Sequence, residues 1–196
     1  MSTSLHQDQY QQICSNVSVR LMPLTHGQSF TNPPEPYESS AFFIRHDLTK
    51  RQFLFFGDVE PDSLSIKPQT IAVWRAAARL VPEQLNSIFL ECSWPSGRED
   101  ALLFGHLSPK HVLHELEAFA DEVLSLKSSR GAEAQAPKLQ RTVRSDALKG
   151  LTLYIIHCKG VDDQSQLIAN QVRTLVCEQG LGIDVVAVVQ GMCIGD

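Results

Sequence analysis

The chain has 196 residues, of which 43% are hydrophobic, and this combination fits one globular domain with a substantial core. A net charge of −5 and the lack of a long basic run argue against general nucleic-acid binding. The sequence also lacks a run of about eighteen apolar residues, which argues against a membrane-spanning helix. The polar amino terminus indicates no signal peptide. The five cysteines, odd in number and without a Cys-x-x-Cys pair, indicate a reducing compartment. We therefore expect a cytoplasmic protein.

The amino-terminal part is predicted to consist mainly of strands. Residues 1–16 are polar, and we expect them to be disordered or a remnant of a preceding element. Alternating apolar residues predict a strand over 17–22, and three prolines predict a loop over 27–39. The β-rich runs 41–46 and 52–57, joined by a turn, predict a hairpin.

From about residue 50 onwards the predicted strands and helices alternate. Apolar residues at helical spacing predict helices over 69–81, 109–127 and 164–178. Short apolar runs predict strands over 87–91, 151–156 and 183–189. Polar, small residues predict a mobile loop over 128–145. The alternation favours the α/β (α+β) class, with a mixed sheet flanked by helices in one domain over 17–196.

Four polar side chains lie at or just past the ends of predicted strands. They are His26, Asp58, Glu91 and His157. Strands fix such groups more rigidly than loops do, and His and Asp are the ligands of a hydrolytic metal pair. Such a pair activates water and stabilises both oxygens of an in-line phosphoryl displacement. Each residue also has an ordinary alternative, namely a hydrogen-bonded structural histidine, a Gly-Asp turn or a strand-end carboxylate.

Eight short motifs, taken in their order along the chain, favour the metal-ligand interpretation over these ordinary alternatives. They are PLTHG (23–27), YESSAFFIR (37–45), FLFFGDVEPDS (53–63), VWRAAARL (73–80), IFLECSW (88–94), LFGHLSP (103–109), HELEAF (114–119) and IIHCKG (155–160). The series resembles the class II 3′,5′-cyclic-nucleotide phosphodiesterases of fungi and some other microbes, over most of the chain. The resemblance implies the metallo-β-lactamase superfold, a four-layer αββα sandwich with two divalent metal ions. Zinc is the expected metal, with manganese and iron left open.

The resemblance also implies a role for each candidate residue. His26 is similar to the ligand histidine of the strand-His-Gly motif, Asp58 to the bridging aspartate and His157 to the last ligand histidine. His106 resembles a histidine near the scissile phosphate that protonates the leaving oxygen. Glu91 resembles an acidic residue that supports a neighbouring histidine. Lys159 is either a phosphate contact or a solvated side chain, and we favour the second.

One departure from the family pattern is large. The superfamily signature His-x-His-x-Asp-His is absent, because no two of the seven histidines are separated by one residue. His111 and His114 do not form this motif, and we expect both on the exposed side of their helix. The chain is therefore expected to be the carboxyl-terminal part of a sandwich, with weak or absent metal binding. Its uncovered core surface would favour self-association into a homo-oligomer.

The expected function is hydrolysis of 3′,5′-cyclic AMP or cyclic GMP to the 5′-nucleotide, in cyclic-nucleotide catabolism and signalling. The expected partner is this small-molecule substrate, without nucleic acid or membrane. One alternative is a catalytically inactive fragment or pseudoenzyme. A second alternative is another hydrolase or nuclease of the same superfold, since a fold alone does not select a substrate. The acidic composition argues against a large nucleic-acid substrate.

Overall fold

The computed structural model describes residues 9–131, 144–160 and 164–194. Those residues form a single sheet, three α-helices and a short 3-10 helix at Asp100–Leu102. The strands are β1 (Gln11–Cys14), β2 (Val17–Gln28), β3 (Pro36–His46), β4 (Gln52–Phe56), β5 (Leu85–Glu91), β6 (Thr152–Ile156) and β7 (Asp184–Ala187). The helices are α1 (Thr70–Ala78), α2 (Pro109–Gly131) and α3 (Gln164–Glu178).

The strands lie in the sheet in sequence order, and the pairing changes type at β4. Strands β1 to β4 pair antiparallel, whereas β4 to β7 pair parallel. Among the described residues, each parallel connection contains one α-helix, a connection type that parallel pairs usually need. Parallel connections are right-handed, so successive connections that proceed in one direction along a sheet place their helices on the same face. Accordingly α1 packs on α2 and α2 packs on α3, so the helices form one layer.

The core lies between this helical layer and the sheet. In β4, Leu54 and Phe56 point into it and are 0% and 1% exposed. Trp74 of α1 stacks on Phe119 of α2, with ring centroids 4.8 Å apart, and also contacts Phe56 at 5.0 Å. Full burial of a large apolar side chain contributes roughly 1.5–3 kcal/mol, so this aromatic cluster is a main source of the attachment of the helices to the sheet.

The opposite face of the sheet carries a second row of aromatic side chains. Phe53 and Phe55 of β4 contact Phe89 of β5, which stacks on Tyr154 of β6 at 4.8 Å. This row is only partly covered, and Phe55 is 37% exposed. The sheet is therefore apolar on both faces, a pattern that is typical of strands that lie inside a layered α/β structure.

Most of the predicted elements are confirmed, including the hairpin, now β3 and β4, and the mixed sheet flanked by helices. Residues 1–16 were expected to be disordered or a remnant of a preceding element; Gln11–Cys14 forms a strand that pairs with β2, and residues 1–8 lie outside the described residues. The predicted loop over 27–39 is too long, because β2 extends to Gln28 and β3 begins at Pro36.

The second helix is also longer than predicted. Its described part reaches Gly131, so the predicted mobile loop over 128–145 is helical at its start, and residues 132–143 lie outside the described residues. Within the part of the chain that the structure describes, no helix combines the length and apolar character needed to cross a bilayer.

Candidate metal centre

The candidate residues meet at one edge of the sheet because of the strand directions. Asp58 follows the end of β4, Glu91 ends β5 and His157 follows the end of β6. These three strands are parallel neighbours, so their carboxyl ends share an edge. Strand β2 is two antiparallel steps from β4 and therefore runs in the same direction, which brings His26 to that edge as well.

Asp58 lies at the centre of the three predicted metal ligands. Its Oδ1 is 2.8 Å from Nδ1 of His157, and its Oδ2 is 3.9 Å from Nε2 of His26. The side chains of His26, Asp58 and His157 are 26%, 44% and 39% exposed, so the cluster faces solvent. The structure thus brings together three residues that span most of the sequence.

The His26 ring is oriented by a backbone contact with the loop before α2. Its Nδ1–H donates to the carbonyl of Gly105 at 2.8 Å, so Nε2 carries the free lone pair and faces Asp58. The approach is close because both glycines at the contact have a left-handed backbone, with φ of +69° at Gly27 and +77° at Gly105. A Cβ on Gly105 would lie 2.7 Å from the Gly27 nitrogen.

His106 lies between the other two histidines and is held from behind by Glu91. The ring centroids of His26 and His157 are 4.6 and 5.1 Å from that of His106. Its Nδ1–H donates to Glu91 at 2.9 Å. Glu91 is fully buried and accepts further hydrogen bonds from the Val59 amide and the Ser93 hydroxyl. A carboxylate with both oxygens engaged in this way supports a ring more readily than it binds an ion.

The expectation that Lys159 is a solvated side chain is wrong. Its Nζ lies 2.5 Å from Nε2 of His106 and 5.7 Å from the centre of the Trp94 ring. Its amide donates to the Ser93 carbonyl, which fixes the segment after β6 against the end of β5. Lys159 and Trp94 are thus neighbours of the candidate site that the sequence analysis did not assign to it. The motifs IFLECSW and IIHCKG, which run past the ends of β5 and β6, were the available signal.

The donor set fits divalent metal ions. One ligand atom from each of Asp58, Glu91, His106 and His157 can be chosen so that all lie within 4.8 Å of one another. Within this group, Nδ1 of His106 is paired with Glu91 and Nδ1 of His157 with Asp58. His26 is not one of the four, although its Nε2 lies 3.9 Å from Asp58. Imidazole nitrogens together with a carboxylate are the donors that zinc prefers in hydrolytic sites.

His111 is buried rather than exposed, so the sequence prediction for this residue is wrong. The side chain is 3% exposed, and its Nδ1 lies 2.9 Å from the hydroxyl of Ser108, the residue before α2. Burial lowers the pKa of His111 to about 4, so the ring is neutral at pH 7. Its Nε2 lies 3.5 Å from Asp100. His114 is exposed, as predicted.

Fold and site together define an α/β protein with a cluster of metal-type donors at the carboxyl edge of its sheet. The chain belongs to the class-II cAMP phosphodiesterases, whose family model matches residues 2–191. The fission yeast Schizosaccharomyces pombe has a 3′,5′-cyclic-nucleotide phosphodiesterase that is 42% identical over 108 residues, or 55% of this chain. A probable 3′,5′-cyclic-nucleotide phosphodiesterase of Yersinia pestis is 30% identical over 71% of the chain.

The crystal structure of unliganded yeast PDE1 shows the same fold. It superposes on 93% of this chain with a TM-score of 0.72 at 24% sequence identity. The predicted membership in the class II phosphodiesterases and the predicted fold are therefore confirmed. The matched region spans 30% and 36% of the lengths of the two curated relatives and 47% of the yeast structure.

Proposed function

We propose that this chain takes part in the hydrolysis of 3′,5′-cyclic nucleotides at the cluster of His26, Asp58, His106 and His157. The observation that carries the proposal is the position of Asp58, which contacts His157 and faces the free nitrogen of His26. An aspartate between two imidazoles matches the donor chemistry of a metal-dependent phosphodiesterase. Membership in the family agrees with this reading.

His26, Asp58 and His157 would hold the divalent ions, and zinc is the metal we propose. Bound divalent ions polarise a phosphoryl group and activate water near neutral pH. His26 contributes a preset orientation, because its Nδ1–H is taken by the Gly105 carbonyl. Asp58 contributes negative charge that offsets the charge of the metals, and its two oxygens already face two different histidines.

We assign to His106 the donation of a proton to the leaving 3′ oxygen. Its Nδ1–H is taken by Glu91, so the proton would pass through Nε2, which contacts the Lys159 ammonium at 2.5 Å. Glu91 fixes the orientation of the ring, since it is buried and firmly hydrogen-bonded. The ammonium of Lys159 beside Nε2 adds positive charge where phosphate oxygens would lie.

Metal binding by the whole chain is the first test. We expect zinc, measured by mass spectrometry and by calorimetric titration, to bind the wild-type chain and to be lost in Asp58→Asn and His157→Ala. His114→Ala is the matched control, because His114 is an exposed histidine outside the cluster. Zinc binding that survives both cluster substitutions would refute the assignment of the ligands.

Turnover of cyclic AMP and cyclic GMP is the second test. If His106 is a general acid, His106→Ala lowers turnover by roughly 10²–10⁴ while zinc content stays unchanged. Unchanged turnover in a folded variant would remove His106 from the mechanism. Activity that resists a chelator would argue against a metal-dependent reaction.

An inactive chain is the main alternative, and the ligand count favours it. The three assigned ligands are few for two ions, and the sequence contains no His-x-His-x-Asp-His motif. A chain that neither binds zinc nor hydrolyses either cyclic nucleotide would support this alternative. The proposal also includes a cytoplasmic location, which cell fractionation tests. It includes self-association through the partly covered aromatic face, which sedimentation tests, and a role in cyclic-nucleotide signalling.

A further inference from the structure

A cavity of about 270 Å³ lies at the edge of the sheet opposite the candidate metal centre. It opens where β4 and β5 begin and where the antiparallel strand β3 ends, whereas the candidate ligands lie at the other ends of β4 and β5. At about 3.3 Å per residue, the path from Gln52 to Asp58 separates the two places by roughly 15–20 Å. An occupant of this cavity is therefore remote from the candidate ligands.

The strand register gives the cavity a continuous apolar wall. Ile44, Phe53 and Ser87 are direct partners across β3, β4 and β5, so their side chains project to the same face of the sheet. His46 lies two residues after Ile44, and Val17 is its partner in β2, so both belong to that face as well. Val17, Ile44 and Phe53 are only partly buried, and they offer apolar contact area to an occupant.

Positive charge lies at the end of this wall. The Arg51 carbonyl accepts the His46 amide at 2.9 Å, and both side chains line the cavity. Arg51 is exposed, and in the described part of the chain its guanidinium has no ion-pair partner. Asp47, the acid in the same turn, is already engaged, because Ser18 donates to its Oδ2 and Arg45 to its Oδ1. None of the described residues that line the cavity is an aspartate or a glutamate, although the whole chain has a net charge of −5.

The polar side chains of the cavity offer mainly hydrogen-bond donors. Nδ1 of His46 accepts the Thr49 amide at 3.4 Å, which leaves Nε2–H as the free donor of the ring. The guanidinium of Arg51 only donates. The Ser87 hydroxyl donates to Oδ1 of Asn86 at 3.1 Å, so the NH₂ of that amide is a further donor. Donors beside an apolar wall are complementary to an anionic head group that carries an apolar tail.

We propose that this cavity, the distal pocket, binds a small amphipathic anion whose carboxylate contacts Arg51 and His46. Its aliphatic tail lies along Val17, Ile44 and Phe53. At about 30 Å³ per non-hydrogen atom the cavity holds roughly nine such atoms, which corresponds to a carboxylate with a chain of about six to eight carbons. The distal pocket contains none of the proposed metal ligands, so the inference is independent of the proposed function.

Binding of hexanoate to the whole chain, followed by NMR and calorimetry, tests this inference. We expect a dissociation constant on the order of 0.1–1 mM, with shifts at the amides of Ile44, Phe53 and Ser87. Along the series acetate, butyrate and hexanoate, each methylene that enters the pocket should strengthen binding by about 2- to 4-fold. Hexan-1-ol has the same chain without the charge, and it should bind at least about 5-fold more weakly than hexanoate.

Two exposed arginines separate the charge contact from general surface charge. Arg51→Gln should weaken hexanoate binding by about 5- to 10-fold and leave hexan-1-ol binding unchanged. Arg79→Gln is the matched control, because Arg79 is also exposed and lies outside the distal pocket. Neither arginine is buried, so we expect both variants to fold.

Four results would overturn the distal pocket. They are equal hexanoate affinity of Arg51→Gln and the wild type, an equal loss in Arg79→Gln, hexan-1-ol binding as tight as that of hexanoate, and no binding at all. Shifts confined to His26, His106 and His157 would place the carboxylate at the candidate metal centre and would equally refute the inference.

Discussion

Gly105→Ala is a sharp test of how the site is assembled. The residue has φ +77°, and an added Cβ would lie 2.7 and 2.9 Å from the nitrogen and Cα of Gly27. The left-handed backbone costs an alanine about 1–2 kcal/mol, and the overpacking costs about 1–3 kcal/mol more because both contacts are to backbone. We therefore expect a loss of about 2–5 kcal/mol in the free energy of unfolding, measured by denaturant titration.

The same substitution should disturb the candidate metal centre. The Gly105 carbonyl accepts the hydrogen bond that orients His26, so a displaced loop releases the ring. Loss of such an orienting contact typically weakens metal binding about 10- to 100-fold, measurable by zinc titration. Gly97→Ala is the matched control, since Gly97 has φ +95° but no atom within 4 Å of the point where its Cβ would lie. Equal destabilisation of both variants would refute the close-approach argument.

Three other predictions concern buried titratable groups. Burial lowers the pKa of His111 from 6.5 to about 4, so the folded state disfavours the protonated ring. The free energy of unfolding is therefore highest above pH 6.5 and decreases by about 3 kcal/mol as the pH falls to 4. His111→Gln should lack this loss in denaturant titrations across that range. Burial raises the pKa of Glu115 from 4.5 to about 6, so the folded state binds this proton more readily than the unfolded state. The free energy of unfolding should increase by about 2 kcal/mol as the pH falls from 6 to 4.5. Glu115→Gln should lack this increase in the same titrations. Burial also raises the pKa of the fully buried Cys92 thiol. A thiol reagent should therefore modify the exposed Cys14 and Cys177 rapidly and Cys92 only after unfolding, as measured by mass spectrometry.

The helices and central strands could be predicted from the sequence because their apolar residues repeat at the period of the element. The helix Gln164–Glu178 matches its predicted bounds, since its apolar stripe is complete. The strand Gln11–Cys14 could not be found this way. Its residues are mostly exposed and half of them are polar, and it exists because its backbone pairs with β2. Likewise β3 reaches Pro36 because β2 continues past a bulge between Thr25 and Gln28.

Contacts between distant segments explain what the sequence left out of the site. His111 sits at a helical position that looks exposed, yet the segment with Asp100 folds over it. Lys159 reads as a solvated lysine, although its backbone is tied to Ser93 and its side chain reaches His106. In both cases the contact that places the side chain comes from outside its own element, from Asp100 for His111 and from His106 for Lys159.

Strand direction, rather than any local motif, brings the candidate ligands together. Four strands, β2, β4, β5 and β6, run the same way, and each contributes one side chain at or near its carboxyl end. Shifting one strand by a single residue would turn its ligand to the other face of the sheet, because side chains alternate along a strand. The buried pairs Phe43–Leu54 and Leu54–Ile88 oppose such a shift, since it would expose them. The hydrophobic core therefore sets the geometry of the candidate metal centre, and substitutions that loosen β4 in the sheet should weaken metal binding even where no proposed ligand is changed.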